Sequence, residues 1–478
     1  MSKKKLAAIA VPCVIAIIAV IVITNPRQST PVAETYTLTT HTSPSGAGSV
    51  SPFGGEYQSG VQVTLTASPA GGYRFANWTG DVSTIADVED ATTTITMNDH
   101  YSVTANFVPR LIIEIRDWYD LDGVRDNLGG SYLLMNNLDS TTAGYVELAS
   151  ETANEGRGWE PIGASDGQFT GVLNGQGHEI RDLFINRPEQ DYVGLFAHVS
   201  WTNPIENVGV IENVGVVEAD VTGSSRVGVL VGHNAGIVNN SYSSCSVTSG
   251  ELYVGGLVGY NDGGFVSNSY STGNVTGIRY VGGLVGHTTG VRNVREGTVR
   301  NCYSTGNVTG GTRVGGLMGS TLADVIVTNS CFAGSVTGNR WVGGLVAENY
   351  GGNVTNSYST GNVTGSGYVG GLVAFNIWGT ISSCYSTGTV SGDGTVGGLV
   401  GDNSEGTVNN SFWDIENSGQ GGSDGGTGET TAEIKSMVTF SRAGWNIIAV
   451  NPGMRNSSYI WNIVDGWTYP FLSWQSVS

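Results

Sequence analysis

The chain has 478 residues, 40 acidic against 21 basic side chains, and 73 glycines with no Gly-X-Y period. That pattern excludes collagen, and the formal net charge of −19 leaves no clustered basic surface for nucleic acid. Hydrophobic residues at 39% exclude wholesale disorder.

Lysine occurs only at positions 3, 4, 5 and 435. Lys3-Lys4-Lys5 precedes an apolar run from Leu6 to Ile23, the pattern of a secretory signal or a membrane anchor over 1–24. Its basic end stays inside and the rest is exported. A Pro-containing linker covers 25–35. Cys13, Cys245, Cys302, Cys331 and Cys384 match neither a disulfide framework nor a zinc site. Cys302 and Cys384 take the same place three repeats apart, roughly 14 Å at ~4.8 Å per rung, too far for a bridge. All five read as unpaired thiols.

Residues 36–109 read as short β-branched strands separated by Gly, Pro and Ser, with Tyr73, Phe75 and Trp78 as core aromatics. The run from Gly48-Ser-Val50 through Gly72-Tyr73-Arg-Phe75-Ala-Asn-Trp78 to Val103-Thr-Ala-Asn-Phe107 resembles the divergent internalin-type B repeat. The resemblance implies a small β-grasp-like module of bacterial surface proteins. Residues 110–159 read as an N-terminal cap, with a helix opened by Asp117 and a strand at Tyr132–Met135. Asp120, Asp122 and Asp126 fail the EF-hand spacing and read as a solvated helix face. His178-Glu179 lacks a second histidine at position 182, which is Asp182. The sequence 205–210 is repeated at once as 211–216, which lengthens one turn.

From 160 to 413 the chain repeats itself. Val254-Gly-Gly-Leu-Val-Gly259 recurs from 281, 314, 342, 369 and 396, with a looser copy from 227. A period near 27 residues is the mark of a solenoid. Three strands per copy, Val254–Tyr260, Phe265–Ser271 and Asn274–Thr276, predict an all-β, right-handed parallel β-helix whose like residues stack in ladders. The interior ladders are Val238, Val266, Val299, Val327, Val354, Ile381 and Val408, then Val247, Val275, Val308, Val336, Val363 and Val390. Asn234, Asn261, Asn349, Asn376 and Asn403 form an amide ladder, with Thr288 and Thr321 in the other two copies. Tyr242, Tyr270, Tyr303, Tyr358 and Tyr385 form an aromatic one. Strict alternation from Val266 puts Tyr270 inside, whereas a corner at Asn268 turns these tyrosines outward, as a surface stripe able to stack on a glycan, and turns Ser269, Cys302 and Cys384 inward. The exchange of only Ser and Cys at that position favours the corner. Leu257 and Val258 are adjacent and both core-like, so a bend lies between the glycines.

The Gly-Leu-hydrophobic-Gly core, as in Gly256-Leu257-Val258-Gly259 and Gly398-Leu399-Val400-Gly401, resembles the GLUG motif. That family implies bacterial or archaeal surface proteins, including adhesins, and repeats carried beside some proteases, with no catalytic residues of its own. Residues 414–478 read as a C-terminal cap with a short helix from Thr431 and with Trp445, Trp461, Trp467 and Trp474.

The acids of the array do not gather as a polysaccharide lyase or hydrolase requires, although that enzyme is the alternative reading. Asp262, Glu348 and Asp402 read as one loop edge on distant rungs. Arg279, Arg313 and Arg340 read as equivalent positions on a solvated stripe. His233 and His287 lie two rungs apart, roughly 10 Å at ~4.8 Å per rung, too far to share a metal. The expectation is an exported, non-enzymatic cell-surface protein, an adhesin or a stalk, with no cofactor or metal. Its partners are an unknown glycan or matrix protein and the membrane, not nucleic acid. Recognition falls to residues that vary between copies: His233, Tyr260, Glu348, Phe375 and Asp402.

Overall fold

The computed structural model describes residues 34–475 except 71, 110, 164–166, 203–206 and 292–294. The segment 1–24 with Cys13, and most of the linker, lie outside the described residues. No described helix is long and apolar enough to cross a membrane.

The repeat region is a parallel β-helix. One coil carries five short strands rather than three: β1 Leu252–Gly255, β2 Val258–Asp262, β3 Phe265–Ser267, β4 Tyr270–Ser271 and β5 Val275–Thr276. Each pairs in parallel with its counterparts on neighbouring coils, giving five long sheets. The expected first strand breaks at Gly256-Leu257, where two consecutive side chains turn inward; Leu257 and Val258 are both fully buried. The second breaks at Asn268, which is left-handed (φ 51°). Asn enters that conformation more readily than other residues that carry a side chain.

The corner at Asn268 recurs at Asn213, Asn240, Asn301, Asn329, Asn356 and Asn410, all with positive φ. It forms an amide ladder absent from the sequence reading: Asn240 Nδ2 donates to Asn213 Oδ1 at 2.7 Å and Asn301 Nδ2 to Asn268 Oδ1 at 3.0 Å. The corner turns Ser269, Cys302 and Cys384 into the interior. Ser269 Oγ donates to the carbonyl of Ser267 (2.7 Å) and Cys302 Sγ to that of Arg300 (3.1 Å). Ser and Cys exchange here because both are small and can make this short bond. Burial pushes the thiols of Cys302 and Cys384 up to about 12, so they are unreactive. The four described cysteines are free.

The interior ladders are as dry as the repeat requires. Val266, Val299, Val327, Val354 and Ile381 are fully buried, each contributing about 1.5–3 kcal/mol of apolar burial. The amide ladder is buried with them. Asn234 Nδ2 donates to Asn261 Oδ1 (2.8 Å), Asn349 to Asn376 (2.7 Å) and Asn376 to Asn403 (2.7 Å). Thr321 Oγ1 continues the line onto Asn349 Oδ1.

The solenoid begins earlier than the repeats. Ile112–Ile115 and Ser131–Leu134 already pair in parallel within the β3 sheet, so the segment expected as a cap contributes strands to the solenoid itself. The helix there is Trp118–Asp122, capped by Asp117 accepting from the Asp120 amide, and continues as a 3-10 turn over Gly123–Asn127. In the local duplication, Asn207–Val208 forms a hairpin with Trp201–Thr202 while Val210–Glu212 and Gly215–Val217 supply the coil.

Residues 34–109 form a four-stranded and a three-stranded sheet, the small β domain expected in front of the solenoid. Phe75 and Trp78 are core, with Trp78 Nε1 donating to the Asp90 carbonyl; Tyr73 is half-buried.

The C-terminal segment does more than close the last coil. Gly398 N donates to Gly422 O, and Thr427–Glu429 adds a strand beside Phe412–Asp414. The chain then runs back along the flank. Trp474 Nε1 reaches the Asn329 carbonyl (3.1 Å) and Gln475 Nε2 reaches Cys331 Sγ (3.2 Å). Asp414, fully buried, ties this segment down by accepting from Thr431 Oγ1 and Tyr469 Oη.

Candidate functional site

Two aromatic columns run along the solenoid. The first is the tyrosine ladder of β4. Tyr242, Tyr270 and Tyr303 stack face to face at 4.8 and 4.7 Å, and Tyr358 and Tyr385 at 4.9 Å, with Cys331 between the groups. Stacking at this spacing follows from the rung separation. The rings point outward, but the stripe is not a continuous open surface. Trp461 packs on Tyr358 and Tyr385, Tyr385 is only 1% exposed, and Trp474 lies against Tyr303. At the other end Tyr242 donates to the Glu179 carboxylate, which Arg181 also holds. Burial and that bond raise the Tyr242 hydroxyl well above its ordinary value. Tyr358 and Tyr385 are therefore unavailable to a glycan, because the apolar C-terminal segment needed a flank to bury against.

The second column was not legible as a unit. β1 and β2 of each coil fold outer face to outer face. A Cβ on Gly255 would sit 2.1 Å from the Val258 carbonyl oxygen, and one on Gly259 2.5 Å from the Arg226 carbonyl carbon. Only glycine permits backbones this close. The repeated glycines are packing elements. A recurrent bond pins this corner: Ser243, Ser304 and Ser386 donate Oγ to the carbonyls of Gly256, Gly316 and Gly398 at 2.6–2.7 Å.

Where the two strands part, their outer side chains interdigitate. β2 supplies His198, His233, Tyr260, His287, Ser320, Glu348, Phe375 and Asp402 in strict register. The residue before Val-Gly supplies the other half, Tyr192, Arg226, Tyr253, Tyr280, Arg313, Trp341 and Tyr368, with Thr395 in the last coil. His198 and His233 stack at 4.2 Å; Tyr253 lies 5.3 Å from Tyr260 and 4.8 Å from Tyr280. Arg226 sits over Tyr192 at 4.8 Å and Arg313 over Trp341 at 4.1 Å. Arg313 also pairs with Glu348 at 2.6 Å, and Ser320 donates to the same carboxylate. Trp341, Phe375 and Tyr368 close the series. Tyr192, Arg226, Tyr253, Tyr280 and Arg313 all have positive φ, between 56° and 62°. Such bulky left-handed residues cost about 1–3 kcal/mol each and persist only where the surroundings fix them.

Burial lowers His198 and His287 to about 4, so both rings are neutral members of the stack. His233 lies 3.6 Å from Asp262, whose carboxyl is held below its usual range, first by that contact. Among the described residues no three His, Cys, Asp or Glu side chains gather to hold a metal.

Two expectations change. Arg313 is not equivalent to Arg279 and Arg340. It aligns with Tyr280 and Trp341, while Arg279 aligns with Thr312, because the register is set by Val281 and Val314 rather than by the arginines. Asp262 likewise lies two residues beyond the rung position shared by Glu348 and Asp402. The sequence signal for the missed half of the column was the aromatic or arginine preceding Val-Gly in every coil but the last, which has Thr395.

Comparison with known proteins supplies further findings. Residues 36–110 match the divergent InlB B-repeat domain, and 250–276, 277–309, 338–364 and 365–391 match the GLUG motif. The chain is 37% identical over 120 residues to a protein of Evansella cellulosilytica named as a candidate Gly-rich membrane protein, covering 25% of this chain and 13% of that one. It is 31% identical over 176 residues to halomucin of Haloquadratum walsbyi, covering 35% of this chain and 2% of halomucin. A solved structure from Bacteroides ovatus, described as a candidate immunoglobulin A1 protease, aligns over 77% of this chain and 93% of its own at 19% identity, with a TM-score of 0.42.

Proposed function

We propose that this chain, built from a divergent InlB B-repeat domain and a GLUG-repeat β-helix, is a non-catalytic surface repeat protein that acts as an adhesin. The observation that carries the reading is where the coils vary. The interior, the buried amide line and the Asn corner repeat nearly one residue type each. The column between β1 and β2 changes from coil to coil through Tyr, His, Arg, Trp, Glu and Phe. Side chains set on a rigid rod but different at each level are a recognition surface, whereas a passive stalk needs only the repeated ladders. The names of the two relatives, a membrane protein and halomucin, support placement at the cell surface. Of the two carboxylates that β2 brings to the column, Glu348 is paired with Arg313 and Asp402 accepts from Ser404, which supports binding over turnover.

The test is fractionation of the native host followed by a glycan and matrix-protein array with the full chain. Surface location with binding and no product formation is expected. A soluble cytoplasmic protein overturns the reading, and cleavage of a bound glycan replaces it with the enzyme.

A further inference from the structure

The turns leading into the β1 strands of three consecutive coils enclose a cleft of about 460 Å3, walled chiefly by Ile278, Arg279, Thr312, Asn339, Arg340 and Trp341. In a chain of net charge −19 this is an unusual place. Arg313 at its floor is neutralised by Glu348. Arg279 and Arg340 are exposed and make no ion pair among the described residues; their recorded contacts are with the rings of Tyr280 and Trp341. Two residues of the wall also carry a buried polar atom without a hydrogen-bond partner, Thr312 Oγ1 and Trp341 Nε1.

We propose that this cleft binds the acidic group of a saccharide, a carboxylate or sulfate carried on a hydroxylated ring. A guanidinium presents a planar fork of donors that matches such an oxyanion in bidentate fashion. Arg279 and Arg340 are rooted two rungs apart, roughly 10 Å at ~4.8 Å per rung. Their long side chains close on one oxyanion from two sides or hold two acidic groups of a polymer. Ile278 and Trp341 give apolar surface to the ring, and the exposed Asn339 offers hydrogen bonds to its hydroxyls. The size falls within the range of small-ligand sites. An acidic peptide fits less well, because it needs free backbone groups for strand addition. Those of this cleft are already paired between coils: Gly311 N with the Ile278 carbonyl, and Arg340 N with that of Gly311. Nucleic acid needs many more cations than two.

The inference deepens the surface reading and rests on it for the ligand class. The test measures binding of the full chain to polygalacturonate, dextran sulfate and neutral dextran. The variants are Arg279→Gln/Arg340→Gln and, as a control on the β3 face, Arg300→Gln. At least one acidic polymer binds, neutral dextran does not, and the double variant loses about tenfold or more in affinity while Arg300→Gln does not. Added salt weakens the binding. Polygalacturonate alone identifies a carboxylate site and dextran sulfate alone a sulfate site. Absence of binding to either polymer, equal binding of neutral dextran, or an unaffected double variant overturns the proposal. A surface-located protein with any of those results sinks this site and leaves the surface reading intact.

Discussion

The two aromatic columns use the same ring chemistry to opposite ends. The tyrosine ladder is nearly uniform, and stacking between identical rungs satisfies it. More than half of it is then covered by the chain's own C-terminal segment. The column between β1 and β2 is heterogeneous, and five of its members sit in a left-handed conformation. It is held by crossed contacts between two strands rather than by one repeated stack. Uniformity along a solenoid marks structure; variation at a fixed, rigid position is the feature on which the proposed recognition role rests.

The largest effect should come from uncovering the uniform column. Trp461 is fully buried, 4.8 Å from Trp445 and 5.8 Å from Tyr385. Trp461→Ala should cost about 3–5 kcal/mol. The loss should be local, because a solenoid unfolds in units. Hydrogen exchange should rise across 431–475 and at Tyr358–Thr360 while the coils before 330 keep their protection. Uniform loss of protection along the rod would show that the segment is part of the core rather than a cover.

Much of the rod was readable because its period writes one rung many times over. The Val ladders and the Asn234–Asn403 amide line follow from spacing alone, whereas the inward Ser269/Cys302/Cys384 position needed the Ser–Cys exchange as well, because strict alternation points Tyr270 inward instead. The missing information was about contacts that cross the period. Which side of β1 meets β2 depends on glycines approaching backbone, and that is a three-dimensional fact. So Tyr253 and Tyr260 read as unrelated residues although their rings lie 5.3 Å apart. The covering of Tyr385 was hidden for the same reason, since Pro470, whose carbonyl accepts from its hydroxyl, is 85 residues away. Arg313 was misassigned because a run of nearby arginines suggested a stripe when the Val-Gly register decides the face.

The heterogeneous column should respond to pH where the tyrosines do not. His287 is 7% exposed and donates to or accepts nothing charged; its Nδ1 lies 3.1 Å from the Ser320 carbonyl. Burial lowers it to about 4, below the roughly 6.5 of an unfolded histidine. Between those values the unfolded chain binds the extra proton, so stability falls as pH drops from 6.5 toward 4. The effect of this ring is about 3 kcal/mol once both states are protonated. His287→Phe places at this level the ring that Phe375 supplies elsewhere on the ladder. It should flatten the pH dependence of the denaturation midpoint in that window; an unchanged slope would assign the effect to other groups.

Amides sharpen the contrast on a smaller scale. Asn376 is fully buried, accepts from Asn349 and donates to Asn403 and the Gly379 carbonyl. Asn376→Ala strands those partners without water and should cost about 2 kcal/mol, read as a lower denaturant midpoint for the C-terminal coils.

The smallest effect belongs to the exposed amide corner, and its sign depends on the replacement. Asn268 has φ 51°, accepts from Asn301 and donates to Asn239 at 2.9 Å. Those bonds face water, which replaces them at little cost. The backbone term then decides. Asn268→Ala keeps a Cβ in the left-handed region but loses the amide that makes Asn tolerant of it, for about 1 kcal/mol. Asn268→Gly removes that strain but adds freedom to the unfolded chain, so it should fall within about 0.5 kcal/mol of the parent. Matched midpoints for the Ala and Gly variants would mean that the corner is held by its amide ladder rather than by its conformation. The exposed and buried Asn lines would then differ only in their access to water.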